Sequence, residues 1–160
     1  MAKILEQLSL QSANEAHLFV LKRFEEDHEL AEKLQPDFYG RPSGWITEIE
    51  QARHMGWVGR LAEEYVGFVD LALEANESLA YLSVYVVPGY RGIGVGSSMV
   101  RMVADRLGEL ELQGLLAQTE ADNWPVRRCL QSAGFRVLGS EESTTLLYAL
   151  DIAYAYSADD

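Results

Sequence analysis

Hydrophobic and polar residues change their spacing several times along the chain, and each change marks an element. Ile4 to Leu10 alternates in the manner of a short strand. Ser12 or Asn14 can cap a helix over about 13–34, in which Leu18, Leu21, Phe24, Leu30 and Leu34 recur near helical spacing until Pro36. Residues 35–45 combine two prolines, two glycines and three aromatics and read as an irregular loop. Aromatics in such a loop suit either the wall of a small-molecule pocket or packing onto the core. Ser43 caps a second predicted helix, about 44–55.

Beyond it, Trp57–Ala62 and Tyr65–Leu73 read as antiparallel strands joined at Glu63-Glu64, and a strand over about 79–87 stops at Pro88. Ser97–Leu107 has Met99, Val103 and Leu107 on one helical face. A strand at about 114–119, a helix over Trp124–Ala133, and strands at about 135–139 and 143–150 complete the order. Asn123 at the cap, Pro125 in the first turn and Gly134 at the end give the penultimate helix the expected terminal asymmetry. Strands in runs, interrupted by single helices, predict an α/β sandwich around a mixed sheet. The acidic end, Ser157 to Asp160, is expected to fray.

Composition narrows the class. With 48% hydrophobic and 24% charged residues, the chain is globular, and 160 residues suit one domain spanning 1–160. One cysteine, Cys129, excludes an intrachain disulfide framework and fits a cytoplasmic setting. No apolar run is long enough to span a membrane. A net charge of −12 opposes direct nucleic-acid binding and suits steering of a cationic acceptor such as an amine. The run Glu25-Glu26-Asp27-His28-Glu29 fits a solvated helix face, and His17 and His54 lack the paired spacing of zinc ligands, so no metal site is expected.

The informative chemistry lies in Arg91-Gly92-Ile93-Gly94-Val95-Gly96, between a predicted strand and helix. Residues without Cβ let backbone N–H groups approach an anion, and a helix N-terminus adds partial positive charge, so this turn is a pyrophosphate cradle. A dinucleotide fingerprint fails in both registers, because Ser97 or Met99 stands at the third glycine position. A Walker loop fails because Gly94 is followed by Val95 rather than lysine.

The turn resembles the hallmark of the GNAT superfamily of acyl-CoA-dependent N-acyltransferases, Q/R-x-x-G-x-G/A, with Arg91, Gly94 and Gly96 at the fixed positions. Val84 to Pro88 is similar to the family strand that precedes it. Asn123, Val126, Leu130, Gly134 and Phe135 follow the pattern N-x-x-A-x-x-x-Y-x-x-x-G-F, with Leu130 in place of the tyrosine. The resemblance covers roughly 57–150. It implies a mixed, mostly antiparallel central sheet flanked by helices, and transfer from acetyl-CoA to a primary amine of a small molecule or peptide by direct attack in a ternary complex. A homodimer is compatible with it.

It also implies a donor site made of Val84, Val86, the turn from Arg91 through Gly92, Ile93, Gly94, Val95 and Gly96 to Ser97, and Asn123; Arg127 and Arg128 on the same helix can reach the phosphates, with surface salt bridging the alternative for at least one of them. The backbone N–H of Val86 is the candidate oxyanion donor. The strand before the turn, Ala80 to Tyr85, carries no carboxylate where many relatives place a base. Glu120 is the first alternative base and Asp70 the second, each equally readable as a solvent-facing residue. Tyr81, Tyr85 or water can substitute for the missing phenol, and the sequence does not select among them. Because a lysine-like amine costs roughly 4–5 kcal/mol to deprotonate at pH 7 and a thiol only about 2, the base matters more than the acid. A CoA-binding sensor or interaction module with weakened catalysis is the alternative, and phosphate or nucleotide binding without CoA a third. Cys129 reads as a packing residue.

Overall fold

A computed structural model describes residues 2–27, 44–74, 78–142 and 144–151. A short helix, α1 (Ala2–Leu5), precedes strand β1 (Leu8–Ser12). The strand expected from Ile4 therefore divides: the Gln7 N–H turns back onto Ile4 O at 3.1 Å, and pairing begins with Leu8 opposite Leu61. Asn14 accepts from the Ala16 N–H at 2.8 Å and forms a reciprocal capping box with His17. This opens a 3-10 turn, Glu15–His17, that runs into α2 (Leu18–Phe24). The helix expected over 13–34 is thus a 3-10 turn followed by α-helix as far as Phe24. Residues 28–34, loop residues 35–43 with the Ser43 cap, and the tail at 157–160 lie outside the described residues.

Helix α3 (Trp45–Glu50) is shorter than the expected 44–55 because the chain leaves it at Ala52, with φ 59°, and enters β2 (His54–Leu61) three residues ahead of Trp57. Next come β3 (Glu64–Leu73) and β4 (Leu79–Val86), with the hairpin turn at Ala62-Glu63 rather than Glu63-Glu64. Helix α4 (Val95–Ala104), β5 (Gly114–Glu120), α5 (Trp124–Ser132), β6 (Arg136–Glu142) and β7 (Thr145–Asp151) complete the order.

The strands form one sheet in the order β1-β2-β3-β4-β5-β7-β6. Among the described pairs β4–β5 alone is parallel. Both faces are covered, which is why Val66 to Leu71 of β3 are all buried. On one face α4 and α5 enclose a core that includes Met99, Val103, Leu115, Leu130 and Tyr148. On the other, α2 and α3 press Phe24 and Trp45 onto Val58, Phe68 and Tyr85.

Candidate functional site

The one parallel ladder among the described residues is short. Register between β4 and β5 runs from Leu79↔Gly114 to Tyr81↔Leu116, while β4 continues to Val86 and β5 to Glu120, so the strands part and leave a gap. The Val87 N–H donates to Val66 O at 2.8 Å, which by antiparallel alternation makes Tyr85 and Phe68 a hydrogen-bonded pair. The backbone N–H and C=O of Val84 and Val86 therefore point away from β3, into the gap.

The glycine turn lies at the end of β4. Gly92 and Gly94 have φ of 81° and 94°, and Gly94 is the left-handed N-cap of α4. Helix α4 starts at Val95, two residues before the expected Ser97, so Gly96 is part of its first turn. A Cβ on Gly96 would lie 3.0 Å from Cys129 Sγ and 3.3 Å from Val86 Cγ2, so α4, α5 and β4 meet tightly here and a larger residue needs its neighbours to give by a few tenths of an ångström. The first N–H groups of α4 are thereby held at the mouth of the gap, with the positive end of the helix dipole. An elongated ligand with a diphosphate fits this arrangement.

Helix α5 borders the other side. Asn123 Oδ1 accepts from the Val126 N–H at 3.5 Å, so its side chain serves as a weak helix cap. Arg127 donates through Nε to the Tyr148 hydroxyl at 3.0 Å and through Nη1 to Ala121 O at 2.7 Å. Its guanidinium carbon lies 3.9 Å from the centre of the Trp124 ring. Arg127 thus braces the helix start, whereas Arg128 is exposed. The end of α5 is a Schellman motif: with Gly134 at φ 96°, its N–H reaches Gln131 O at 3.1 Å and the Phe135 N–H reaches Leu130 O at 3.0 Å.

The profile of the Acetyltransferase (GNAT) family matches residues 16–135. The chain belongs to this family. Comparison with curated protein sequences returns no significant match. Among solved structures, the GNAT fold recurs at low identity. RimL, a ribosomal alpha-N-protein acetyltransferase in complex with coenzyme A, superposes with a TM-score of 0.78 at 15% identity, over 93% of this chain and 96% of that one. Spermidine N-acetyltransferase from Vibrio cholerae, with CoA and spermine, gives 0.78 at 15%, over 92% and 97%. The aminoglycoside acetyltransferase AAC(6')-Ib, with acetyl-CoA, gives 0.78 at 14%, over 96% and 98%.

Leu130, which the sequence resemblance sets at the family's tyrosine position, is 0% exposed, packed in the core between α5 and the sheet. Cys129 beside it is half-buried, and burial raises its thiol pKa, so it packs against the Gly96 turn as a neutral group.

The four candidate catalytic residues share the opposite face of the sheet. Register pairs Asp70 with Ser83, Ala72 with Tyr81, Phe68 with Tyr85 and Tyr81 with Leu116, and two-residue steps along β5 carry the same face to Gln118 and Glu120. Glu120 is exposed at the end of β5, and Tyr81 is half-buried next to the parting of the strands.

Asp70 is not solvent-facing. It is 2% exposed, and its Oδ1 accepts from Trp45 Nε1 at 2.5 Å and is 2.8 Å from His54 Nδ1. Burial raises its pKa, opposed by the hydrogen bond to His54, and that same bond raises the His54 pKa against burial. The two directions describe one proton held tightly by the pair. Glu48, held below the usual carboxylate range chiefly by its hydrogen bond from Arg53, adds negative charge near His54. His54 was expected to be isolated; starting β2 at residue 54 sets it opposite Ala72, diagonal to Asp70. The hairpin register carried that signal, provided the strand was extended back from Trp57.

Asp27 is a second contact the sequence does not announce. It accepts from the Tyr85 hydroxyl at 2.9 Å and from Arg91 Nη2 at 3.0 Å, across separations of 58 and 64 residues. No local pattern encodes contacts that distant.

Proposed function

We propose that this chain is an N-acetyltransferase that takes the acetyl group of acetyl-CoA and passes it to a primary amine of a small molecule or peptide by direct attack within a ternary complex. One observation carries the reading: β4 and β5 part beside the glycine turn, so that strand edges no longer paired to each other and the N-terminus of α4 face a common gap. In this reading the backbone from Gly92 to Ser97 holds the diphosphate, with the exposed Arg128 available to outer phosphates. Val84 and Val86 offer main-chain groups to the amide-bearing arm, while Asn123 and Arg127 fix the helix opposite. When bound, acetyl-CoA supplies an activated thioester.

The protein's own part is orientation and proton movement. The Val86 N–H is preorganised to donate to developing negative charge. Glu120, on the acceptor face and open to water, takes the amine proton, a step that otherwise costs about 4–5 kcal/mol for a lysine-like amine. Tyr81 borders the same region. Asp70 acts through His54, because its carboxylate is already engaged by two donors.

The fully buried Leu130 supports a second reading, a CoA-binding module with weakened catalysis, since an apolar side chain there offers no proton to a departing thiolate. Thiol release with acetyl-CoA, measured against a polyamine, an aminoglycoside and a peptide with a free N-terminus, separates the two. Acceptor-dependent release supports the enzyme. Acetyl-CoA at about 100 times its Kd stabilises a binder by about 2.7 kcal/mol. Stabilisation with no turnover for any amine favours the module, and no stabilisation overturns both.

A further inference from the structure

Arg91 is the first fixed residue of the glycine turn, yet its guanidinium is engaged by the chain itself. Its Nε donates to Val86 O at 2.8 Å, its Nη2 donates to Asp27 Oδ2 at 3.0 Å, and the charge lies 5.8 Å from the centre of the Tyr85 ring. The Tyr85 hydroxyl donates to the same Asp27 oxygen at 2.9 Å. Asp27 follows α2 on the acceptor face, whereas Val86 edges the gap on the donor side. The Asp27 side chain is 14% exposed and that of Arg91 36%, so the pair is only partly screened by water.

The peptide unit between Val86 and Val87 is gripped from both ends. Its oxygen accepts from Arg91 and its N–H donates to Val66 O at 2.8 Å. A guanidinium is a rigid planar fork, so its placement on Val86 depends on what its other nitrogens bind. We infer that Asp27 is a positioning residue for the transfer. Acting through Arg91 and Tyr85, it fixes Val86 at the edge of the gap and ties the acceptor-side helix to the geometry of the donor side. The link to transfer rests on the N-acetyltransferase reading above; the fixing of Val86 does not.

The experiment uses the full chain. Amide hydrogen exchange at Val87 in the free protein is compared with thiol release for the Asp27→Ala, Asp27→Asn and Arg91→Gln variants and the Asp27→Ala/Arg91→Gln double variant. Loss of a charge-assisted hydrogen bond is expected to speed Val87 exchange about tenfold in Asp27→Ala and Arg91→Gln, with the double variant little faster. Asp27→Asn, which keeps an acceptor oxygen, recovers part of the protection. In Asp27→Ala kcat falls about tenfold while the KM for acetyl-CoA stays within about twofold. Unchanged Val87 exchange overturns the inference whatever the activity does. So does faster exchange spread evenly over the sheet, which marks general destabilisation. Local loosening with unaltered thiol release breaks the link to transfer. A wild-type protein that binds acetyl-CoA without turnover defeats the functional reading alone, and Val87 exchange still decides whether Asp27 fixes the strand.

Discussion

Gly96 stands where α4, α5 and β4 converge, and its missing side chain is what permits the convergence. In Gly96→Ala the new Cβ meets Cys129 Sγ at 3.0 Å and Val86 Cγ2 at 3.3 Å, so these side chains or the helix must give by a few tenths of an ångström. Urea denaturation is expected to show a loss of about 1–3 kcal/mol, the usual cost of overpacking. Donor affinity falls with it. Adding Cys129→Ala removes the nearer obstacle and restores part of both, whereas additive losses would show that the crowding lies elsewhere. The Asp70–His54 pair makes a different prediction. A histidine whose folded-state pKa is raised contributes stability that is complete below its unfolded value, about 6.5, and fades as pH climbs through the folded one. The raised Asp70 pKa acts in the same direction. Unfolding free energy is therefore expected to decline as pH rises, the Asp70 share beginning above its unfolded value of about 4 and the His54 share above about 6.5. Asp70→Asn should flatten that decline while lowering stability throughout, and an unchanged slope would show that other groups set it.

At the scale of elements, the gap between β4 and β5 should be visible directly. Acetyl-CoA is expected to slow amide exchange at Val84, Val86 and the first turn of α4 and to leave Phe68 to Leu71, already paired in the sheet, unaltered. Protection confined to α4 would mean that the strand edge is not used. Much of this layout was legible before any coordinates. Alternation identified β2, β3 and β4, and Asn123, Pro125 and Gly134 bounded α5 to within a residue. The glycine pattern located the turn because a backbone at φ 94° imposes its requirement on the local sequence. Element ends were harder, since Leu8 and His54 join strands through partners on other strands. The acceptor-face contacts were hardest of all: Tyr85 and Arg91 meet Asp27 only after the sheet and α2 have come together. Asp70 looked like a surface residue because its two donors, Trp45 and His54, lie 25 and 16 residues away.

For the whole molecule, a net charge of −12 sets a long-range field that favours cationic acceptors. Such steering is screened as the Debye length shrinks from about 10 Å at 0.1 M salt to about 3 Å at 1 M. The KM for a polyamine acceptor is accordingly expected to rise across that range, with little change for a zwitterionic peptide of zero net charge whose one free amine is balanced by a carboxylate. Equal salt responses would assign recognition to short-range contacts alone. Among the described residues no helix is long and apolar enough to cross a membrane. The parting of β4 and β5 reaches further than ligand recognition. Strands β1 to β4 pair in the order of the chain, and β5, β7 and β6 form a second group; the two are joined in the sheet through three register pairs. The molecule is stitched along a seam that it leaves partly open, and a guest lying there serves as the missing thread. The halves already share the buried core around Met99, Leu115 and Tyr148, so on the proposed reading a guest adds to a cooperativity the core supplies, raising it while bound.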